Sequence, residues 1–350
     1  MKRTPIVYAL LSAALFGIST PAAKALLGST DPMVLAGLLY CGAGLGAAAF
    51  RHLARLSATG GAKEAALNRT ELPWLAGAIV AGGIVGPVLL MFGLTRTEAS
   101  TASLMLTLEG VATALMAWFI FHENFDRRIA LGMACLMAGA AVLAWSGEPS
   151  LASLVGPLAI AGACVAWGLD NNLTRKVALS DPLQIVELKG LVAGPCNIGL
   201  GLWMGAALPG VDGIAVASVV GLLGYGASLA LFILALRDLG TARTGAYFST
   251  APFFGAAVAI LVLGEPATFQ VFVAAVLMAI GVWLHVTEHH EHSHVHEALV
   301  HAHVHTHDLH HQHAHGPSDP TGDPHTHWHE HDALEHSHVH TPDEHHRHRH

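Results

Sequence analysis

Residues 94–103 read Leu94-Thr-Arg-Thr-Glu-Ala-Ser-Thr-Ala-Ser103 and lead into an apolar run that ends Phe121-His-Glu123. Residues 236–245 read Leu236-Arg-Asp-Leu-Gly-Thr-Ala-Arg-Thr-Gly245 and lead into a run that ends Leu263-Gly-Glu265. The two passages are 142 residues apart at both ends, and the same offset carries Gly139 onto Gly281. Nearer the starts, Phe16-Gly17 and Lys24 match Trp167-Gly168 and Arg175 at an offset of 151, and Asp31-Pro32 matches Asp181-Pro182 at 150. Self-similarity over this length means that one structural unit occurs twice.

Composition says what kind of unit. The 350 residues are 53% hydrophobic and 12% charged, with a mean hydropathy of +0.49. A soluble domain carries about 25% charged residues, so a soluble enzyme is excluded. A bilayer core about 30 Å thick takes roughly 20 apolar residues of helix. Ten stretches fit: 6–27, 33–50, 72–93, 99–121, 128–146, 151–170, 183–204, 214–236, 243–263 and 267–286. They far exceed the roughly ten-residue alternation of a membrane barrel strand, and hydrocarbon tolerates only helices or closed barrels. A cleaved leader would account for the first stretch alone.

Five spans per unit is an odd number, so the second unit lies upside down relative to the first. The predicted fold class is therefore an all-α membrane protein with ten transmembrane helices, arranged as two inverted five-helix repeats. The expected divisions are 1–147 and 148–287, followed by a third region, 288–350. Inverted repeats are a transporter architecture, with the solute site near the midplane between them. With the N-terminus inside, the inner segments hold Lys2, Arg3, Arg51, Arg55, Lys63, Arg69, Arg127, Arg128, Arg175, Lys176, Arg237 and Arg243, against Lys24 and Arg96 outside. That asymmetry follows the positive-inside rule and puts both termini in the cytoplasm. Gly190/Gly194 and Gly42/Gly46 have the spacing that lets helix backbones approach closely in lipid. Cys41, Cys135, Cys164 and Cys196 lie singly in apolar stretches and read as small buried hydrophobes.

On these residues the chain resembles the EamA-type transporters of the drug/metabolite transporter superfamily. The resemblance rests on the turn and small-residue run at Thr95–Ser103 and Arg237–Gly245, the apolar span after each, and the closing Glu123 and Glu265. Pro252 matches the family's proline early in the ninth span, whereas the equivalent place in the fourth holds Gly110, preceded by Glu109. The resemblance covers residues 6–286. It implies ten helices, cytoplasmic termini in an inner membrane, and secondary transport of small metabolites, often as export.

An ionisable residue inside a span is costly unless it faces a cavity or a partner, so it marks function. Glu109 is the sharpest such residue, near the middle of the 99–121 stretch. Met105 and Thr113 share its face on a continuous helix. Trp167 lies one turn before Asp170 and Asn171 and could form with them the wall of a cavity for an organic or metal cation. Lys189 lies a few residues into the seventh span and either snorkels to the interface or pairs with Glu109. The substrate-binding candidates are thus Glu109, Met105, Thr113, Trp167, Asp170, Asn171 and Lys189. No GxxxxGK[ST] loop is present, so ATP hydrolysis is not expected. No Ser or Thr has an organised His/Asp partner, so no catalytic role is assigned.

The tail is a second physical object. Of 27 histidines, 24 fall between His289 and His350. Many alternate: His292, His294, His296; His301, His303, His305, His307; His325, His327, His329, His331. Imidazole suits zinc, nickel, cobalt and copper, so these residues are the expected ligands of a divalent transition metal, though no cofactor is required by the body. Pro317, Pro320, Pro324 and Pro342 oppose regular structure, and the tail is expected to be disordered and cytoplasmic. The negative charge of the chain belongs to this tail, and no basic patch for nucleic acid exists.

Three functions fit. The first is export of small solutes, divalent transition-metal cations among them, by alternating access. The second is export of an amino acid or other metabolite, with a metal-storing or metal-sensing tail. The third is a membrane metal sensor that transports nothing. The expected partners are the lipid bilayer and a small-molecule or cation substrate, with a homodimer left open.

Overall fold

A chain this apolar satisfies its backbone within lipid by forming helices. The computed structural model describes residues 3–56, 66–121, 127–145, 151–177, 180–286, 290–296, 299–305, 325–331 and 334–340. The first half comprises α1 (Arg3–Leu26), α2 (Pro32–Leu56), α3 (Leu72–Ala78), α4 (Gly86–Leu94), α5 (Ala99–Met105), α6 (Leu108–Phe121) and α7 (Arg127–Ala144). The second comprises α8 (Leu151–Thr174), α9 (Pro182–Trp203), α10 (Val211–Gly221), α11 (Ser228–Phe248), α12 (Ala251–Leu261) and α13 (Phe269–Val286). Up to Val286 the described residues contain helices and no strand. Among the described residues, seven helical segments are long and apolar enough to cross a membrane, and Ala130–Ala144, Ala251–Leu261 and Phe269–Leu284 are shorter apolar helices. Large apolar side chains such as Leu45, Phe119 and Leu158 stand more than 60% exposed on the outer surface. Such a surface suits lipid and would associate in water. This is a multi-pass membrane protein.

Helices at matching places in the two halves pack against each other in opposite directions. Along α2 and α9, Val34 lies against Gly201, Cys41 against Gly194, and Gly44 against Gly190. A methyl group on Gly190 would overlap the backbone of Gly44, so this approach requires glycine. Gly42 and Gly46 face a different neighbour, meeting Ser218 and Leu222. Along α7 and α13, Gly139 meets Met278 and Gly281 meets Gly132 and Leu136. Gln270 donates to the carbonyls of Val142 and Trp145 at the end of that pair.

Polar contacts gather at the two ends of the bundle. At one end, Lys24 Nζ donates to the carbonyls of Leu94 and Thr97. There the Glu265 carboxylate also accepts from the backbone N–H groups of Ala99 and Ser100, both at 2.7 Å. Glu265 thereby caps α5 in the other half, satisfying donors that a helix start leaves orphaned. Glu123, its sequence counterpart, lies outside the described residues. At the other end, Arg51 pairs with Asp181 at 3.0 Å and with Glu187. Ser180 donates to Glu71 at 3.0 Å.

Each half carries a π-helical segment, Ile79–Val85 between α3 and α4 and Leu222–Ala227 between α10 and α11. The wider turn releases carbonyls from the helix ladder. In the first half those groups are taken up: Gly82 O accepts from Tyr40 Oη (2.6 Å) and Trp167 Nε1 (2.9 Å), and Gly83 O accepts from Asn197 Nδ2 (2.9 Å).

Two expectations need correction. The stretch 99–121 is not one helix. It breaks between Met105 and Leu108, where Thr107 N, Glu109 N and Gly110 N bond three residues back instead of four. Glu109 therefore sits in the first turn of α6, not mid-helix. A break at Ser249–Thr250, between α11 and α12, stands at the matching place in the second half. The tail, expected without regular structure, carries strands in its described segments: β1 (His290–His296), β2 (Leu299–His305), β3 (His325–His331) and β4 (Leu334–His340). The alternating His-X pattern has the period of a strand, and the four tail prolines fall outside these segments.

Ser228 packs on Ser12 by reciprocal hydroxyl–carbonyl bonds of 2.7 and 2.9 Å, while Ala251 packs on Gly17. A straight helix would separate Ser228 from Ala251 by about 35 Å, yet they contact α1 only five residues apart. The chain therefore doubles back within this stretch, where Ala235, Leu239 and Tyr247 all pack around Ala9.

Candidate functional site

The broken helices, the second π-helical segment, α8 and α9 meet around a cavity of about 80 Å³. That is room for a few water molecules. Its polar wall is Glu109 from α6, Asp170 and Asn171 from α8, and Lys189 from α9. Its apolar wall is aromatic: Phe16, Tyr40, Trp167, Tyr225, Phe232 and Phe248. Both halves contribute to both walls.

The four polar residues are wired in two separate sets. Lys189 Nζ donates to both carboxylate oxygens of Asp170, at 2.6 and 2.7 Å, and Thr174 Oγ1 donates to Asp170 at 2.8 Å. Lys189 is 3% exposed and Asp170 7%. This pair is held together because neither charge could otherwise be buried. Glu109 belongs to the other set. Its carboxylate accepts from Asn171 Nδ2 at 2.8 Å. Asn171 also reaches Thr113 Oγ1 at 3.3 Å, and that hydroxyl donates to the Glu109 carbonyl at 2.8 Å. Among the described residues no Lys or Arg forms a salt bridge with Glu109.

The rings pack edge to face. That holds for Phe16 against Trp167 and Tyr225, both at 5.9 Å, whereas Phe16 is tilted against Phe248 and Tyr40 against Tyr225, both at 5.4 Å. Trp167 and Tyr40 are oriented by their bonds to Gly82 O. A cation against such ring faces is attracted by their quadrupoles.

Trp167, Asp170, Asn171, Lys189 and Glu109 thus come together around one cavity. Thr113 stands behind Glu109 through Asn171. Met105 does not reach the cavity wall; it is 3% exposed in the core, and its carbonyl accepts from Cys164 Sγ at 3.6 Å. Lys189 neither snorkels nor pairs with Glu109 but holds Asp170. Tyr40, Tyr225, Phe232 and Phe248 were not singled out from the sequence, since each is a lone ring in an apolar run. The Phe16/Trp167 match between repeats was a usable signal, because both rings line the cavity.

In the helical body, no group of three or more His, Cys, Asp or Glu among the described residues is placed to hold a metal ion. Of the tail histidines, His292, His294 and His296 lie in β1, His301, His303 and His305 in β2, and His325, His327, His329 and His331 in β3. His307 lies outside the described residues.

The sequence profile of the EamA-like transporter family matches this chain twice, over residues 3–145 and 154–287. The chain belongs to the EamA-like transporter family. An uncharacterized transporter of Methanothermobacter thermautotrophicus is 27% identical over 282 residues, covering 77% of this chain and 82% of that protein. A shorter match, 39% identical over 79 residues, is to a probable 4-amino-4-deoxy-L-arabinose-phosphoundecaprenol flippase subunit ArnE of Pseudomonas paraeruginosa. It covers 23% of this EamA-like chain and 66% of the flippase subunit. A solved crystal structure superposes with a TM-score of 0.60 at 17% identity, covering 82% of this chain and 99% of that one. At that identity the likeness concerns the fold.

Proposed function

We propose that this EamA-like protein is a secondary transporter that exports small organic amines or other ammonium-bearing metabolites. It works by alternating access between two inverted five-helix repeats, 1–147 and 148–287. The observation that carries the substrate reading is the wall of the cavity. One carboxylate, Glu109, has among the described residues only an amide partner there and faces a ring of aromatic side chains. The second carboxylate, Asp170, is already neutralised by Lys189.

A bare divalent metal fits this cavity poorly. Zinc and its neighbours take four or more N, O or S donors, and the wall offers one uncommitted carboxylate. An ammonium group needs one carboxylate and gains further from ring faces. The name of the relative from Pseudomonas paraeruginosa includes an amino sugar, which agrees with an amine-bearing solute.

Support for the inverted repeats comes from the antiparallel α2·α9 and α7·α13 pairs, the matched π-helical segments and the matched helix breaks. Discontinuous helices at the midplane are how many transporters offer backbone groups to a solute. The basic end of the bundle, with Arg51, faces the cytoplasm by the positive-inside rule, as do both termini, in an inner membrane.

Counterflow in proteoliposomes tests this reading, with phenethylamine and tyramine as probes and zinc and cobalt as the competing class. Saturable amine flux, lost in Glu109→Gln while the variant stays folded, is the expected result. Zinc flux without amine flux overturns the substrate reading. No flux of any probe favours a non-transporting sensor.

A further inference from the structure

Residues 290–305 and 325–340 are two copies of one module. The first reads His290-Glu-His-Ser-His-Val-His-Glu-Ala-Leu-Val-His-Ala-His-Val-His305, and the second His325-Thr-His-Trp-His-Glu-His-Asp-Ala-Leu-Glu-His-Ser-His-Val-His340. At an offset of 35, ten of sixteen positions are identical, seven of them histidine. Each copy forms two strands, and the strands do not pair within a copy. β1 pairs with β4 and β2 with β3, both antiparallel, so one copy lies against the other throughout.

The register sets histidine opposite histidine. In the first ladder the partners are His290↔His340, His292↔His338 and His294↔His336. In the second they are His301↔His329, His303↔His327 and His305↔His325. Alternate residues share a strand face, and directly opposed residues share it too, so each ladder carries seven histidines on one face: three opposed pairs, with His296 in the first ladder and His331 in the second standing opposite leucine. The intervening positions, Glu291, Ser293 and Val295 in β1 and Val300, Ala302 and Val304 in β2, carry none. A slip of one residue would set histidine opposite non-histidine.

Opposed Cα atoms in such a ladder are about 4.5–5.5 Å apart, and successive residues on one face are about 7 Å apart. Two neighbouring pairs therefore place four imidazole-bearing positions at the corners of a rectangle of roughly 5 by 7 Å. A borderline divalent cation takes four nitrogen ligands. One His-x-His segment supplies two, so a single copy is half a site.

We propose that each ladder binds one divalent cation of the zinc class through four histidines, two from each copy. The sites are His292, His294, His336 and His338 in the first ladder, and His301, His303, His327 and His329 in the second. Metal is held between the copies and closes the duplicated module on itself. This assignment is independent of what crosses the membrane.

The test uses the full chain, one molecule per nanodisc, titrated with Zn²⁺ against a competing chelator. The expected result is two tight sites. H292N/H294N removes one, H336N/H338N removes one, and the four substitutions together still remove only one, because both pairs serve the same ion. Deleting residues 325–340 removes both sites and abolishes the strand signal that Zn²⁺ adds to the circular dichroism spectrum. Loss of two sites in the fourfold variant overturns the proposal. So does a tight site of unchanged affinity surviving the deletion, or the absence of tight sites in the intact chain.

Discussion

Replacing Lys189 by Met would strand Asp170 inside the bundle. The Lys189 ammonium bonds both Asp170 oxygens, and the two side chains are 4% and 10% exposed. Thr174 gives Asp170 one further hydrogen bond, which cannot replace a unit charge. Removing one partner of a buried pair costs about 3–5 kcal/mol, most of it the penalty of the charge left behind. That is roughly a hundredfold or more in the folded-to-unfolded ratio. Replacing both residues, as in D170N/K189M, removes the uncompensated charge and recovers most of the loss. The assay is thermal unfolding of wild type, both single variants and the double variant in nanodiscs, read as a double-mutant cycle. The singles fall by several degrees, and the double lies above the K189M single. If K189M unfolds with wild-type stability, or if the losses simply add, the buried pair does not hold α8 to α9 and the wall of the cavity is built differently.

Glu265→Ala leaves the N–H groups of Ala99 and Ser100 unpartnered at the start of α5. The expected cost is about 1–2 kcal/mol, seen as a lowered unfolding temperature that Glu265→Asp restores in part. Gly82→Ala places a methyl group against the Asp170 side chain, with Asp170 Cβ only 2.6 Å away. Overpacking of this kind costs about 1–3 kcal/mol and should also lower transport, since it displaces the cavity wall. Acidification through the ordinary histidine range, near pH 6.5, protonates imidazole and removes the metal ligand. Zn²⁺ affinity of the tail measured by chelator competition should therefore fall steeply between pH 7.5 and 5.5, and a pH-independent affinity would exclude histidine ligation.

Much of the body was legible because lipid imposes a single length and a single chemistry on a spanning helix. The spacing of Gly190 and Gly194 marked a close helix approach, since spacing alone sets which residues share a face, but it did not say that the neighbour is α2. Glu109 stood out because an acid in an apolar run is costly. Met105 did not follow it to the cavity, because the shared face assumed a continuous helix and the chain breaks between them. The partner of Lys189 depends on the relative rotation of α8 and α9, which no local pattern encodes. The π-helical segments were invisible, since one extra residue in a turn leaves hydrophobic periodicity nearly unchanged. In the tail, prolines argued for disorder, but they cluster outside the strands. The pairing joins residues 20 to 50 positions apart, and the duplication that marks it, at an offset of 35, is masked by the uniform histidine content.

The cavity should open to each side of the membrane in turn. Leu229 lines the cavity with Tyr225, Ser228 and Phe232. With Cys41, Cys135, Cys164 and Cys196 replaced by Ala, Leu229→Cys reports on access to a membrane-impermeant thiol reagent. Labelling from both faces, with the balance shifted by an added amine substrate, is the predicted result. Labelling from one face only under every condition, or from neither, would contradict alternating access about Glu109.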